Sequence, residues 1–218
     1  MRLRRKAWAR PELLESSLFI KDPREFKGRW HELFGNKNDI CLELGCGKGR
    51  FIENIAKENM DKNFVAVDLK DEVLVYVKRK CEELNLNNVR ILSFDINYID
   101  EVFEENEVLD IYLNFSTPWP KARHNKRRLT HPRFLEKYIK IMKEDSKIIF
   151  KTDHEEFFLA SIEYLEENNF EIVYKTFDLH SENIKNIMTE YEEKFINKGM
   201  KIMHLVSKYK GRGKECGL

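Results

Sequence analysis

Short, mostly apolar runs alternate along this chain with longer stretches in which apolar positions recur every three or four residues. Residues 40–44, 64–68, 89–93, 109–114 and 147–152 have the length and β-branched content of strands. Between them, residues 50–59, 71–85, 132–143 and 154–168 carry the helical period. Strand and helix in alternation predict an α/β protein: a Rossmann-like, doubly wound, mostly parallel sheet with helices on both faces. Two later runs, 170–178 and 201–209, flank a helix-containing segment around 189–197, and predict a strand pair closing one sheet edge with an antiparallel last strand. Pro23 stands where a helix can begin and predicts one running to about Phe34.

A chain of 218 residues with 42% hydrophobic content can bury one substantial core. The expected organisation is a single domain over residues 23–218 behind a basic, disordered or arm-like segment, residues 1–22. Net charge is only +1, but the charge is polarised. Arg2, Arg4, Arg5, Lys6 and Arg10 have no acid among them, and Lys121, Arg123, Lys126, Arg127, Arg128 and Arg133 form a second cluster. Setting those 11 aside leaves 28 of the 39 basic residues against 38 acidic ones, about −10 for the remainder. Such asymmetry favours a polyanion docked on one surface. Cys41, Cys46, Cys81 and Cys216 make no Cys-x-x-Cys pair and have no histidine at zinc-ligand spacing, so neither a metal nor a disulfide framework is expected, and a reducing cytoplasm suits the chain. No apolar run approaches the length of a membrane span.

Glu43-Leu44-Gly45-Cys46-Gly47-Lys48-Gly49 follows a predicted strand and opens a helix, where glycines permit a tight turn and let a ligand lie against backbone. A dinucleotide fingerprint would need a third glycine at position 50, which is Arg50. The E-x-G-x-G-x-G form instead resembles the first motif of class I S-adenosylmethionine (SAM) methyltransferases. Asp68 ends the second strand, where a carboxylate can accept from both hydroxyls of a ribose or cap the next helix. Asp95 lies just beyond the third strand, the place where that class contacts the adenine amino group and also an ordinary place for a turn aspartate. Three such features at the carboxyl ends of successive strands favour SAM over other nucleotide ligands.

The block at 114–130 joins a Pro118-Trp119-Pro120 bend to a cationic run. Both prolines fix their own φ and push Thr117 and Trp119 toward extended backbone, and core bracing is the expected role of the Trp119 ring. The run has no acid until Glu136, unlike a solvated helix face.

These residues resemble the bacterial tRNA (guanine-N7-)-methyltransferases, enzymes that methylate the variable-loop guanine at tRNA position 46. The resemblance covers nearly the whole chain. It rests on motif I, Asp68, Asp95, the block N-F-S-D-P-W-P-K-x-R-H-x-K-R-R-L-T matched at 114–130, Thr152-Asp153, and a late T-E-Y-E element at Thr189, Glu190, Tyr191 and Glu192. The resemblance implies that Glu43, Gly45, Gly47, Asp68, Asp95 and Thr117 line the cofactor site. It implies that Lys121, Asp153 and Thr189 to Glu192 hold the substrate nucleotide, and that Arg123, His124, Asn125, Lys126, Arg127 and Arg128 contact RNA. Thr117 and Asp153 fall at its catalytic positions. At Thr117 the chain departs from the family, which carries aspartate there. Asp153 with Glu156, and Thr189 with Glu192, also have the spacing of helix caps. A methyltransferase for a small molecule or protein, and an RNA-binding relative without activity, stay open beside the tRNA enzyme, as do monomer and homodimer.

Overall fold

The computed structural model describes residues 6–196 and 198–211. Seven strands make one sheet: β1 (Ile40–Leu44), β2 (Asn63–Asp68), β3 (Val89–Ser93), β4 (Val108–Asn114), β5 (Met142–Thr152), β6 (Phe170–Thr176) and β7 (Met203–Tyr209). Their order is β3-β2-β1-β4-β5-β7-β6. Pairing is parallel from β3 through to β5. The last strand, β7, runs antiparallel to both β5 and β6, so it alone is reversed.

Helices cover both faces, which is why β1 is apolar on both sides except at Glu43. All five of its residues are buried, Ile40, Leu42 and Leu44 in one core and Cys41 in the other. The second core is closed by α1 (Ala9–Leu14), α3 (Arg50–Glu58) and α4 (Asp71–Glu83). The first is closed by α2 (Trp30–Phe34), α5 (Pro132–Ile141) and α6 (Glu155–Glu166). A seventh helix, α7 (Glu190–Ile196), precedes β7 and accounts for the helical segment expected around 189–197, of which Asn197 lies outside the described residues. The chain winds outward from β1 in one direction and from β4 in the other. The crevice for a ligand therefore lies at the carboxyl ends of these two strands.

Three expectations need correction. The helix expected from Pro23 to Phe34 is a short 3-10 turn, Pro23–Phe26, and then α2, because Gly28 at φ 74 turns the chain between them. β5 begins at Met142, directly after α5, rather than at Lys147. The basic segment read as disordered or arm-like, residues 1–22, is docked over its described part, while residues 1–5 lie outside the described residues. Ala9, Leu13, Leu18 and Phe19 are buried, and strand-like bonds Ile91 N–H to Leu18 and Ile20 N–H to Ile91 cover the open edge of β3. Apolar residues between the cations supply the burial that the charge pattern hid. Arg10 pairs with Asp71, and Arg79 forks onto Glu12 at 2.7 and 2.7 Å. Among the described residues no helix is long and apolar enough to cross a membrane.

Candidate active site and nucleic-acid interface

The glycine loop between β1 and α3 is shaped by three residues at positive φ, Gly45 (84°), Gly47 (53°) and Gly49 (80°). A Cβ on Gly49 would stand 2.7 Å from Val77, so this glycine serves close packing of α3 on α4. A Cβ on Gly45 or Gly47 would meet nothing within 4 Å, so these two face open space that side chains would otherwise fill. That space is a cavity of about 200 Å³ lined by Glu43, Asn114, Phe115 and the loop itself, with Thr189, Glu190 and Tyr191 on the opposite wall.

Glu43 is the single polar residue in β1 and is 2% exposed. Its Oε1 accepts from Asn114 Nδ2 at 3.0 Å, whereas Glu43 Oε2 and Asn114 Oδ1 are buried with no partner. Burial pushes the Glu43 carboxyl up to about 8, against the pull of Asn114 and Lys151. Asp68 accepts from the backbone N–H groups of Gly47 at 3.2 Å and Lys70 at 3.0 Å, and burial raises its carboxyl above the ordinary range. It thus holds one wall of the first cavity, and its chain neighbour Leu69 walls a second, of about 590 Å³. Asp95 lines that second cavity and caps the 3-10 turn Ile96–Glu101, accepting from Asn97 N–H and Asn97 Nδ2.

The 114–130 block leaves β4 with Phe115 at φ 50 and Trp119 at φ 46, so Trp119 is left-handed rather than extended. Asn114 and Phe115 line the first cavity, while Trp119, Arg127 and Leu129 line the second. The Trp119 ring is half-buried and lies outside both cores, which corrects the bracing role: Arg127 stacks over it at 4.8 Å and His124 meets its edge at 5.7 Å. The cationic run is a 3-10 turn, Ala122–Arg127, with Arg123, Lys126 and Arg127 exposed; Lys121, just before it, is exposed as well. Asn125 is half-buried and its carbonyl accepts the Arg128 N–H.

Arg128 departs from the expectation. It is 1% exposed, and its guanidinium donates to the carbonyls of Pro118 and Trp119 and to Glu156 while lying over the Phe157 ring. It holds the loop from beneath and is not available to RNA. Thr117 is exposed and lines neither cavity.

At the end of β5, His154 rather than Asp153 caps α6, its Nδ1 accepting from Phe157 N–H. The Asp153 carboxylate instead accepts from the Tyr191 hydroxyl at 3.4 Å, and no hydrogen bond or ion pair joins Asp153 to Lys121. The Thr189 and Glu192 cap is formed: Glu192 N–H donates to Thr189 Oγ1 at 2.9 Å and Thr189 N–H to Glu192 Oε2 at 3.3 Å. Each of four consecutive side chains at the start of α7 is tied to the site. Glu190 pairs with Lys48, Tyr191 bonds Asp153, Glu192 pairs with Lys151 at 3.1 Å, and Glu193 pairs with Arg50. Glu192 is fully buried, and His180, Asn186 and Lys151 occupy its carboxylate, so it anchors the segment rather than facing a ligand. Burial lowers the Lys151 ammonium below its ordinary range, and Glu192 opposes that shift.

Lys151, Lys48 and Arg50 escaped sequence reasoning. The available signal was a lysine within the apolar strand Ile148-Ile149-Phe150-Lys151, since a charge in a buried strand must be paired. The orphaned oxygens of Glu43 and Asn114, the open glycines and the Asp68 carboxylate fit a ligand with ammonium, hydroxyl and aromatic-amine donors, as SAM is.

Comparison with known proteins agrees with this geometry. Residues 37–205 match a family described as putative methyltransferase. The tRNA (guanine-N(7)-)-methyltransferase of Clostridium tetani is 55% identical over 211 residues, 96% of this chain and 100% of that one. That of Clostridium acetobutylicum is 50% identical over the same shares. Among solved structures, the 16S rRNA methyltransferase KamB has a TM-score of 0.64 at 12% identity, covering 84% of this chain and 93% of its own. An antibiotic-related methyltransferase has 0.63 at 15%, covering 87% and 94%. At that identity the structures share the fold alone. The sequence relatives go further, and place this chain in the tRNA (guanine-N(7)-)-methyltransferase family.

Proposed function

We infer that this chain uses SAM to methylate N7 of a guanine in tRNA, and that the target is the variable-loop guanine at position 46. One observation carries the reading: a single loop walls both the glycine-loop cavity and the cavity at Asp95, and the same loop bears the exposed cations. Cofactor and polyanion thereby meet at the carboxyl ends of the central strands.

Gly45 and Gly47 leave room for the methionine end of SAM, Glu43 offers an acceptor oxygen there, Asp68 takes the ribose hydroxyls, and Asp95 takes the adenine amino group. SAM supplies a methyl group on a sulfonium, which passes to N7 as the sulfur keeps the bonding pair and leaves S-adenosylhomocysteine. Guanine N7 has a lone pair and no proton, so the protein needs alignment rather than a general base. Lys121, Arg123, Lys126 and Arg127 grip phosphates, and Asp153 with the start of α7 aligns the base, which is reached in an unstacked state. The chain acts in the cytoplasm, where its RNA substrate resides.

Unmodified tRNA transcript incubated with methyl-labelled SAM tests this. Label at the variable-loop guanine, located by chemical cleavage at N7-methylguanine, is the expected result. Absence of label despite measurable binding of tRNA and SAM would overturn it.

A further inference from the structure

The cavity at Asp95 is larger than the glycine-loop cavity, and part of its lining is made of groups a cofactor adenine does not need. Leu69, 64% exposed, and Asp95 follow directly on β2 and close after β3, and mark its cofactor end. Tyr98, 49% exposed, the Trp119 ring, Arg127 and Arg133 also line it. Two flat rings are thus open to a ligand beside cations. Ion pairing separates those cations. Lys137, also on this wall, is spent on Asp100 at 2.9 Å. Among the described residues neither Arg127 nor Arg133 is paired with a carboxylate: Arg127 stacks on Trp119, and Arg133 donates to the Asn97 side-chain oxygen. Asn97 is itself held by Asp95, so Arg133 is tied to the residue at the cofactor end. The Trp119 ring is fixed through its backbone, whose carbonyl Arg128 holds from below.

We propose that the part of this cavity lined by Tyr98, Trp119, Arg127 and Arg133 is a subsite for one RNA nucleotide next to the target guanine, with its base against the two rings and its phosphate on the two arginines. The chemistry is that of single-strand recognition. Aromatic faces accept any base, and guanidinium groups grip the backbone oxygens. Continuity with the cationic turn Ala122–Arg127 selects RNA over a free nucleotide, since the strand that leaves this subsite meets Lys126 and Arg123 next. The proposal rests on the tRNA methyltransferase reading.

Tyr98→Ala and Arg133→Gln test it, with tRNA affinity measured by filter binding and SAM affinity by calorimetry. Each variant is expected to weaken tRNA binding about tenfold and to leave SAM affinity within about twofold. Arg133→Gln should also flatten the log–log salt slope by about 0.7 to 0.9, whereas Tyr98→Ala should not change it. Tyr98→Phe, which keeps the ring, should bind tRNA like the parent. Loss of SAM affinity with tRNA affinity intact would assign the whole cavity to the cofactor and overturn the subsite, as would two variants that bind both ligands normally. Free guanosine monophosphate competing with SAM but not with tRNA would overturn it too. A parent protein that binds tRNA without methylating it would sink the activity reading only, because the subsite is judged by affinity.

Discussion

Arg128 Nε donates to the carbonyl of Pro118 at 2.8 Å from a position almost closed to solvent. This bond makes the third of three consecutive basic residues, Lys126, Arg127 and Arg128, a support for the loop and leaves the other two to the surface. Arg128→Ala would strand two carbonyls and is expected to cost about 3 kcal/mol of stability. Arg128→Lys keeps the charge but loses the fork, so it should fold and turn over slowly, with an unchanged salt slope for tRNA binding. Arg123→Gln is the contrast: normal stability, and a slope flatter by about 0.7 to 0.9. With Arg128 withdrawn, five cations remain in and beside the loop, for an overall slope of about −3.5 to −4.5. Thermal melts and salt titrations decide the matter; a slope for folded Arg128→Ala flattened as much as that of Arg123→Gln would return Arg128 to the RNA contacts.

The sheet was legible because burial on both faces leaves apolar runs, as in β1, and the loop after it because Gly45 and Gly47 are the residue type that a tight turn at positive φ favours. The helix expected from Pro23 to Phe34 failed because one glycine at positive φ outweighs a helical period over so short a stretch. Arg128 and Glu192 were misread for a common reason. Local sequence reports a charge but not its burial, and both residues owe their burial to partners far along the chain: Phe157 at the start of α6 for the arginine, Lys151 on β5 for the glutamate. Trp119 was misread in the opposite sense, since flanking prolines suggested bracing and the ring lines a cavity.

The Lys151–Glu192 pair fixes α7 against β5, while the other ties of this segment, Lys48 to Glu190 and Arg50 to Glu193, are half-exposed and weak. Lys151→Met alone leaves a buried carboxylate with less compensation and should cost about 3 to 5 kcal/mol. The double variant Lys151→Met/Glu192→Leu removes both charges and should regain most of the lost melting temperature. If the pair also positions the wall of the glycine-loop cavity, that double variant will bind SAM about tenfold more weakly although it is folded. Calorimetric SAM affinity equal to the parent's would show that the pair only stabilises.

Glu43 gives a pH signature. Its carboxyl is pushed up to about 8 in the fold against 4.5 in the unfolded chain, so between those values the native state holds a proton that the unfolded state has released. The associated stability is complete below pH 4.5 and is lost as pH rises toward 8. Glu43→Gln cannot lose a proton. The melting temperature of the parent relative to this variant should therefore fall steadily from pH 5 to pH 8. A difference that stays flat across that window would mean that Glu43 is ionised throughout in the folded protein.

Thr117 stands exposed in the loop that Arg128 supports, at the position where the family resemblance expects aspartate. A carboxylate there would not act as a base, since N7 has no proton to give up, but it would accept from the guanine and support the purine as methylation makes it cationic. Thr117→Asp should raise the single-turnover rate about tenfold, and Thr117→Asn, with an acceptor but no charge, should gain less. The added negative charge also lies in a loop of exposed cations, so a rise in KM for tRNA is expected alongside. Single-turnover rates at saturating tRNA separate the two effects. A rate for Thr117→Asp no higher than the parent's would mean that alignment by the loop already supplies what the aspartate adds in other family members.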